Sequence, residues 1–172
     1  MMLIKLIQCT VNEDSKKAFH IAQSGWSQLA AAPGFKAQVG GWNELNAHEA
    51  IIVAFWESHD AYQYFMTELH DQIMNQNQQS GSYEKIKISL WNAVDGECKI
   101  DSLDLKGLTG LTILDAVTEH ALDGHHRERS LLMMQMNNNA VQKRLLLQNV
   151  LDNLAYNVEA RFKLEPDWHV FK

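Results

Sequence analysis

Seven apolar residues in a row, Ala50-Ile-Ile-Val-Ala-Phe-Trp56, follow the polar stretch from Asn43 to His48 and precede Glu57-Ser58. A run of this length, rich in branched and aromatic side chains and bounded by turn signals, is a strand. A strand with one wet face alternates apolar and polar residues. This one does not, so both its faces must be buried and it must lie in the middle of a sheet. Whatever else the chain does, it has to cover that sheet on two sides.

The residues around this strand supply one of the two covers. Leu3 to Val11 is a second strand with largely apolar faces. From Asp14 to Ala32, Phe19, Ala22, Trp26 and Leu29 recur at helical spacing, and Pro33-Gly34 ends that helix. Phe35 to Trp42 is a strand with unlike faces, and Gly40-Gly41 marks a bulge or a close backbone approach. Ser58 caps a helix that carries Ala61, Phe65, Leu69 and Ile73 on one stripe and runs to about Gln78. Ile86, Ile88 and Leu90 alternate with Lys85, Lys87 and Ser89 in a fourth strand. Two right-handed β-α-β crossovers place the first and third strands centrally and both helices on one face of an antiparallel, ferredoxin-like α+β sheet. The other face needs a second copy or a partner subunit.

The rest of the composition excludes several classes of function. With 15 basic against 21 acidic residues and a net charge of −6, the chain has no basic face for nucleic acid. No apolar run approaches a membrane span, and the segment after Met1 does not develop into a signal peptide, so a soluble, cytoplasmic protein is expected. Cys9 and Cys98 are too far apart in sequence to read as a metal motif or a disulfide framework. His120, His125 and His126 match no standard ligand spacing, so neither metal nor cofactor is expected.

The order of strand, helix ending in P-G-F, strand, then apolar strand running into F-W-E-S-H-D-A-Y-Q-Y-F-M resembles the antibiotic-biosynthesis-monooxygenase type of dimeric α+β barrel. The W-x-S-x-x-A-Y junction from Trp56 to Tyr62 is its most telling part. Gln23 and Trp26, the run from Gly34 to Trp42, and F-M-T-E-L-H-D from Phe65 to Asp71 are similar to a bacterial group of unassigned activity, the YdbC type. The closing L-E-P-D-W-H-V, Leu164 to Val170, resembles the ending of its longer members. The resemblance implies a barrel of two sheets packed face to face, a homodimer, and a cavity between each sheet and its own helices. It implies no single chemistry, since such barrels include cofactor-independent oxygenases, haem-degrading proteins and proteins without known activity.

Residues 1–93 are thus expected to form the ferredoxin-like barrel domain, and residues 94–172 a reduced or degenerate second α+β unit. In that second unit Leu108 to Thr118 and Tyr156 to Leu164 read as strands, and Leu131 to Leu154 as one or two helices without a strand pair.

The site expected from these residues is small. His70, in line with Tyr62 and Met66 on the second helix, is the candidate catalytic base or oxygen partner. Trp26, Gln38 and Trp42 are the candidate substrate-binding wall, Gln38 and Trp42 sharing a mixed strand face. Trp56 reads as core. Asp71 points about 100° from His70 on a continuous helix and reads as a solvated charge. The haem-degrading pattern wants an asparagine in the first strand and a tryptophan about ten residues before the helix histidine; this chain has Lys5 and Gln8, and no tryptophan between Trp56 and His70. The expected function is binding of a small molecule, with cofactor-independent oxygenation of an aromatic or enolisable substrate as one reading. The alternative is a non-catalytic ligand-binding or stress-response protein, or a haem-binding one, so whether the chain is an enzyme stays open.

Overall fold

A computed structural model describes residues 1–94, 105–115, 122, 128–149 and 158–172. The first half runs β1 (Leu3–Thr10), α1 (Lys16–Ser24), β2 (Phe35–Asn43), β3 (Glu49–Trp56), α2 (His59–Glu68), α3 (His70–Asn77) and β4 (Lys85–Ala93). Short 3-10 turns at Glu13–Ser15 and Gly25–Ala31 flank α1. The second half contributes β5 (Gly110–Asp115), β6 (Ser130–Gln135), β7 (Asn138–Gln148), β8 (Val158–Leu164) and β9 (Val170–Phe171).

Every strand pairs antiparallel with its neighbours. The order is β2-β3-β1-β4-β6-β7-β5-β8, and β8 returns to β2, closing an eight-stranded barrel, with β9 added beside β2. β3 meets the demand of its sequence. Ile51, Val53 and Phe55 enter the barrel core with Ile4, Leu6, Leu111, Ile113, Leu145, Leu147 and Phe162. Ala50, Ile52, Ala54 and Trp56 face the helical layer, packed with Phe19, Leu29 and Phe65. The inner sheet face that called for a second copy or a partner is covered by the chain's own β5 to β8. Each buried Leu, Ile or Phe contributes about 1.5–3 kcal/mol, so this shared core binds the two halves together.

Two expectations are corrected. The stretch from Leu131 to Leu154, read as helical, holds instead the hairpin β6–β7 as far as Gln148, residues 150–157 lying outside the described set. L-L-M-M-Q-M hides its strand period because β6 is flanked on both sides and buried on both faces, Ser130 at 0% exposure on one and Met133 at 0% on the other. The single helix expected from Ser58 to about Gln78 breaks at Leu69, whose φ of −125° and ψ of −30° leave the helical basin. The expected strand from Leu108 to Thr118 is seen over Gly110–Asp115, and that from Tyr156 over Val158–Leu164. Cys98 and the histidines 120, 125 and 126 lie outside the described residues.

Gly40-Gly41 turns out to be a close approach; the register irregularity of β2 falls between Phe35 and Ala37. A Cβ on Gly41 would overlap the Lys163 carbonyl oxygen and stand 2.7 Å from Leu164 Cα, at the seam where β8 closes the barrel. Gly41→Ala is therefore expected to part this seam at a cost of about 2–3 kcal/mol, read as a fall of roughly 5–10 °C in Tm by circular dichroism.

Candidate functional site

The helix-facing side of the first sheet is a grid of cross-strand neighbours. One row reads Leu90, Lys5, Ala54, Gln38; the next Ile88, Ile7, Ile52, Gly40; the third Ile86, Cys9, Ala50, Trp42. Directly opposed side chains stand about 5 Å apart, so Lys5 and Gln38 flank Ala54, whose single methyl leaves a hollow between them. Trp26 and Leu29 from the turn after α1, Phe65 from α2 and His70 and Met74 from α3 roof this hollow. Gln79 and Tyr83, between α3 and β4, complete the wall. The enclosed volume is about 230 Å³. It opens beside β4, where the lining residues Ile86 and Ile88 are 45% and 52% exposed.

Three of the four expected site residues meet here. Trp26, Gln38 and His70 all line the cavity, with the Trp26 and His70 ring centres 6.1 Å apart. Trp26 is held by a buried polar chain: its Nε1 donates to Gln79 Oε1 at 2.6 Å, and Gln79 Nε2 donates to Gln23 Oε1 at 2.9 Å. Trp42 is elsewhere. It shares the strand face of Gln38, but Trp168 from the C-terminal segment lies over Gly40, within 3.1 Å of where a Cβ would be, and fills the gap between them. Trp42 packs on Trp168 and Phe19, with ring centres 5.4 and 5.7 Å away. Period-two reasoning placed Trp42 on the right face and could not see a ring arriving from 126 positions downstream. Trp56, read as core, does pack on Phe35, Tyr62 and Phe65, and also lines the cavity.

His70 and Asp71 are partners after all: His70 Nδ1 and Asp71 Oδ1 are 2.9 Å apart. The break at Leu69 makes them the first two residues of a new helix, where the angular argument for a continuous helix does not hold. An Nδ1–H held by the Asp71 carboxylate leaves Nε2 as the atom able to accept a proton. The ring also stands edge-on to Phe65 at 5.7 Å.

The residue that sequence reasoning passed over is Lys5. It is 6% exposed, it lines the cavity, and its Nζ lies 5.0 Å from the centre of the Tyr62 ring. Burial lowers its pKa from 10.5 to about 8. No Asp or Glu is among the described residues lining the cavity. Two more donors there are unmatched: Gln38 Nε2 and Trp56 Nε1 are buried without a hydrogen-bond partner. Cys9, also on the wall, is pushed up to about 12 by burial, and burial raises the Tyr62 phenol as well, so both stay neutral. The signal for Lys5 was present: a lysine inside a strand predicted to be central has no edge from which to reach water.

The lowered pKa has a stability consequence. Between about pH 8 and 10.5 the unfolded chain holds a proton on Lys5 that the folded chain has lost, so stability rises with pH through that window and the burial penalty is fully present below it. That shift corresponds to about 3 kcal/mol. Lys5→Met is expected to raise Tm at neutral pH, and the gap between variant and wild type should shrink steadily above pH 8. Thermal melts across pH check this, and the difference between the two proteins cancels the opposite effect of Cys9.

Comparison with known proteins places the chain. The family DUF4937, described as a domain of unknown function, matches residues 3–91. The uncharacterized protein YdbC of Bacillus subtilis (strain 168) is 36% identical over 92 residues, which are 52% of this chain and 77% of YdbC. Two solved structures share the fold over nearly the whole chain. A proposed monooxygenase of Lactobacillus acidophilus NCFM covers 99% of this chain and 96% of its own at 9% identity, with a TM-score of 0.61. Another, from Fusobacterium nucleatum subsp. nucleatum ATCC 25586, covers 95% and 91% at 10% identity, with a TM-score of 0.63. An anthrone oxidase-like protein covers 87% and 73% at 10% identity, with a TM-score of 0.57. The chain shares its α+β barrel fold with these structures, is similar in sequence to YdbC, and belongs to the DUF4937 family.

Proposed function

We propose that the cavity over β1 to β3 binds a small aromatic or enolisable molecule and that the protein oxygenates it without an organic cofactor. The observation that carries this reading is the placement of His70, anchored through Nδ1 by Asp71, on the wall of an apolar cavity beside Trp26 and Phe65. In this scheme Nε2 takes a proton from an activated C–H of the substrate, and the electron pair delocalises onto the substrate's oxygen. Dioxygen is the oxidant: one of its atoms ends as a carbonyl on the attacked carbon and the other leaves as water with two hydrogens, both from that carbon in an enolisable ketone, or one from it and one from the hydroxyl in a phenol. Exclusion of water by Trp26, Trp56 and Phe65 favours such an anion only when nearby dipoles stabilise it.

Size narrows the ligand. A dry cavity of about 150 Å³ accommodates benzene, so 230 Å³ suits one or two rings. Haem, with four pyrroles around a metal, exceeds that space, which argues against the haem-binding alternative.

Three further features of the protein belong to the same proposal. The order β6-β7-β5-β8 repeats β2-β3-β1-β4, which supports a degenerate second copy in residues 94–172 after a first domain of residues 1–93. A homodimer, expected from the resemblance, would use the outer surface rather than the closed inner sheet face. The free, buried Cys9 fits a reducing cytoplasm.

Oxygen uptake with a panel of one- and two-ring enolisable ketones and phenols tests the reaction. His70→Ala is expected to lower turnover by about 10²-fold or more with ligand binding retained. Binding by the wild type with no oxygen uptake for any compound would favour the non-catalytic reading instead.

A further inference from the structure

We infer that Lys5, Gln38 and Trp56 form an oxyanion subsite, so that the ligand of this cavity is an aromatic molecule bearing a carboxylate or an ionised phenol or enol. The inference rests on the reading that the cavity binds a small molecule, and it adds the ligand's charge and the residues that hold it.

Three observations converge. The polar atoms that the wall leaves unmatched are donors: Gln38 Nε2 and Trp56 Nε1 are buried without an acceptor, and Gln38 and Trp56 are 4% and 1% exposed. The register sets their backbone positions around that of Lys5 on one face of the sheet. Gln38 and Lys5 are the two neighbours of Ala54 across the sheet, and Trp56 stands one step along the same face of β3, opposite Leu3. Finally, among the described residues, those that line the cavity or touch the ammonium include no acid. Cys9 comes from β1, Tyr62 from α2, His70 from α3 and Tyr83 from the approach to β4, and Asp71, behind His70, is 91% exposed.

A buried ammonium whose partner among the described residues is a ring face is poorly compensated, because the aromatic quadrupole replaces only part of its hydration. At 6% exposure the residue is largely withdrawn from bulk water, and the cavity is the space its side chain borders. An anionic oxygen seated between Lys5 Nζ, Gln38 Nε2 and Trp56 Nε1 would satisfy all three donors together, with two of its bonds made by neutral N–H groups. The remaining wall, Leu29, Ile52, Phe65, Met74 and Ile88, takes an apolar body. A cation would meet Lys5 as a like charge, and a neutral ring would leave the donors unmatched.

Isothermal titration calorimetry at neutral pH with ligands that share one ring system tests the subsite: naphthoate, neutral acetylnaphthalene and cationic naphthylmethylammonium. The wild type is expected to bind naphthoate at least about tenfold more tightly than the ketone, since one charge-assisted contact supplies that ratio. It should not bind the ammonium. Lys5→Met should bind ketone and acid alike, Lys5→Arg should keep a preference for the acid, and Trp56→Phe, which keeps the ring but loses Nε1, should reduce it. An ionised nitrophenol in the same assay separates phenolate from carboxylate ligands, and a preference for either supports the subsite. Equal affinity of the wild type for acid and ketone, or an acid preference that survives Lys5→Met, overturns the inference while leaving the cavity reading intact. Failure of every compound to bind the wild type removes both. Should Lys5→Met not fold, Gln38→Leu and Trp56→Phe carry the same comparison.

Discussion

The structure depends on β3 being dry on both sides. Its inner face, Ile51, Val53 and Phe55, is stable only with another sheet against it, and its outer face, Ile52, Ala54 and Trp56, only with helices against it. The chain meets the first need itself. β4 hands the sheet on to β6, β8 returns to β2, and the barrel closes with no free edge. Gly41 permits this closure because the backbone of β8 occupies the space that any side chain there would need.

The second need makes the cavity. Helices of this length cannot follow a twisted sheet everywhere, and they leave it where the sheet side chains are smallest, at Ala54, and where the break at Leu69 turns α3 away from α2. The C-terminal segment takes up part of the gap: Trp168 covers Gly40, and its Nε1 donates to His20 Nδ1 at 3.1 Å. That leaves a bounded hollow between Lys5 and Gln38 rather than a groove along the whole sheet. A lysine in this place works against folding, and strongly perturbed groups in a cleft are where sites are found. The same central position that withdraws Lys5 from bulk water sets it on the cavity wall, where the low polarity of its surroundings screens its charge weakly.

Legibility followed the range of the forces involved. The β-α-β-β-α-β order, the apolar β3 and the helix starting after Ser58 could be read because periodicity and capping act over a few residues; Ser58 does accept from the Ala61 N–H. His70, Trp26 and Gln38 could be placed on one wall for the same reason. The β6–β7 hairpin could not, because L-L-M-M owes its strand conformation to pairing on both sides and to burial on both faces, which no local pattern records. Trp42 failed through a long-range contact, and Asp71 through a helix break that has no glycine or proline to announce it. Lys5 was legible in principle. Its strand had already been read as central, and the consequence for a charge there was the missing step.

The most direct measurement is a heteronuclear NMR titration of the lysine side chains, with Lys5→Met used to assign the resonance. Lys5 should titrate with a pKa of about 8, well below its ordinary value of 10.5, and naphthoate should move it upward as the bound anion stabilises the ammonium. A spectrum in which Lys5 titrates with the other lysines near 10.5, and does so with or without the acid, would contradict both the buried cation and the site built around it.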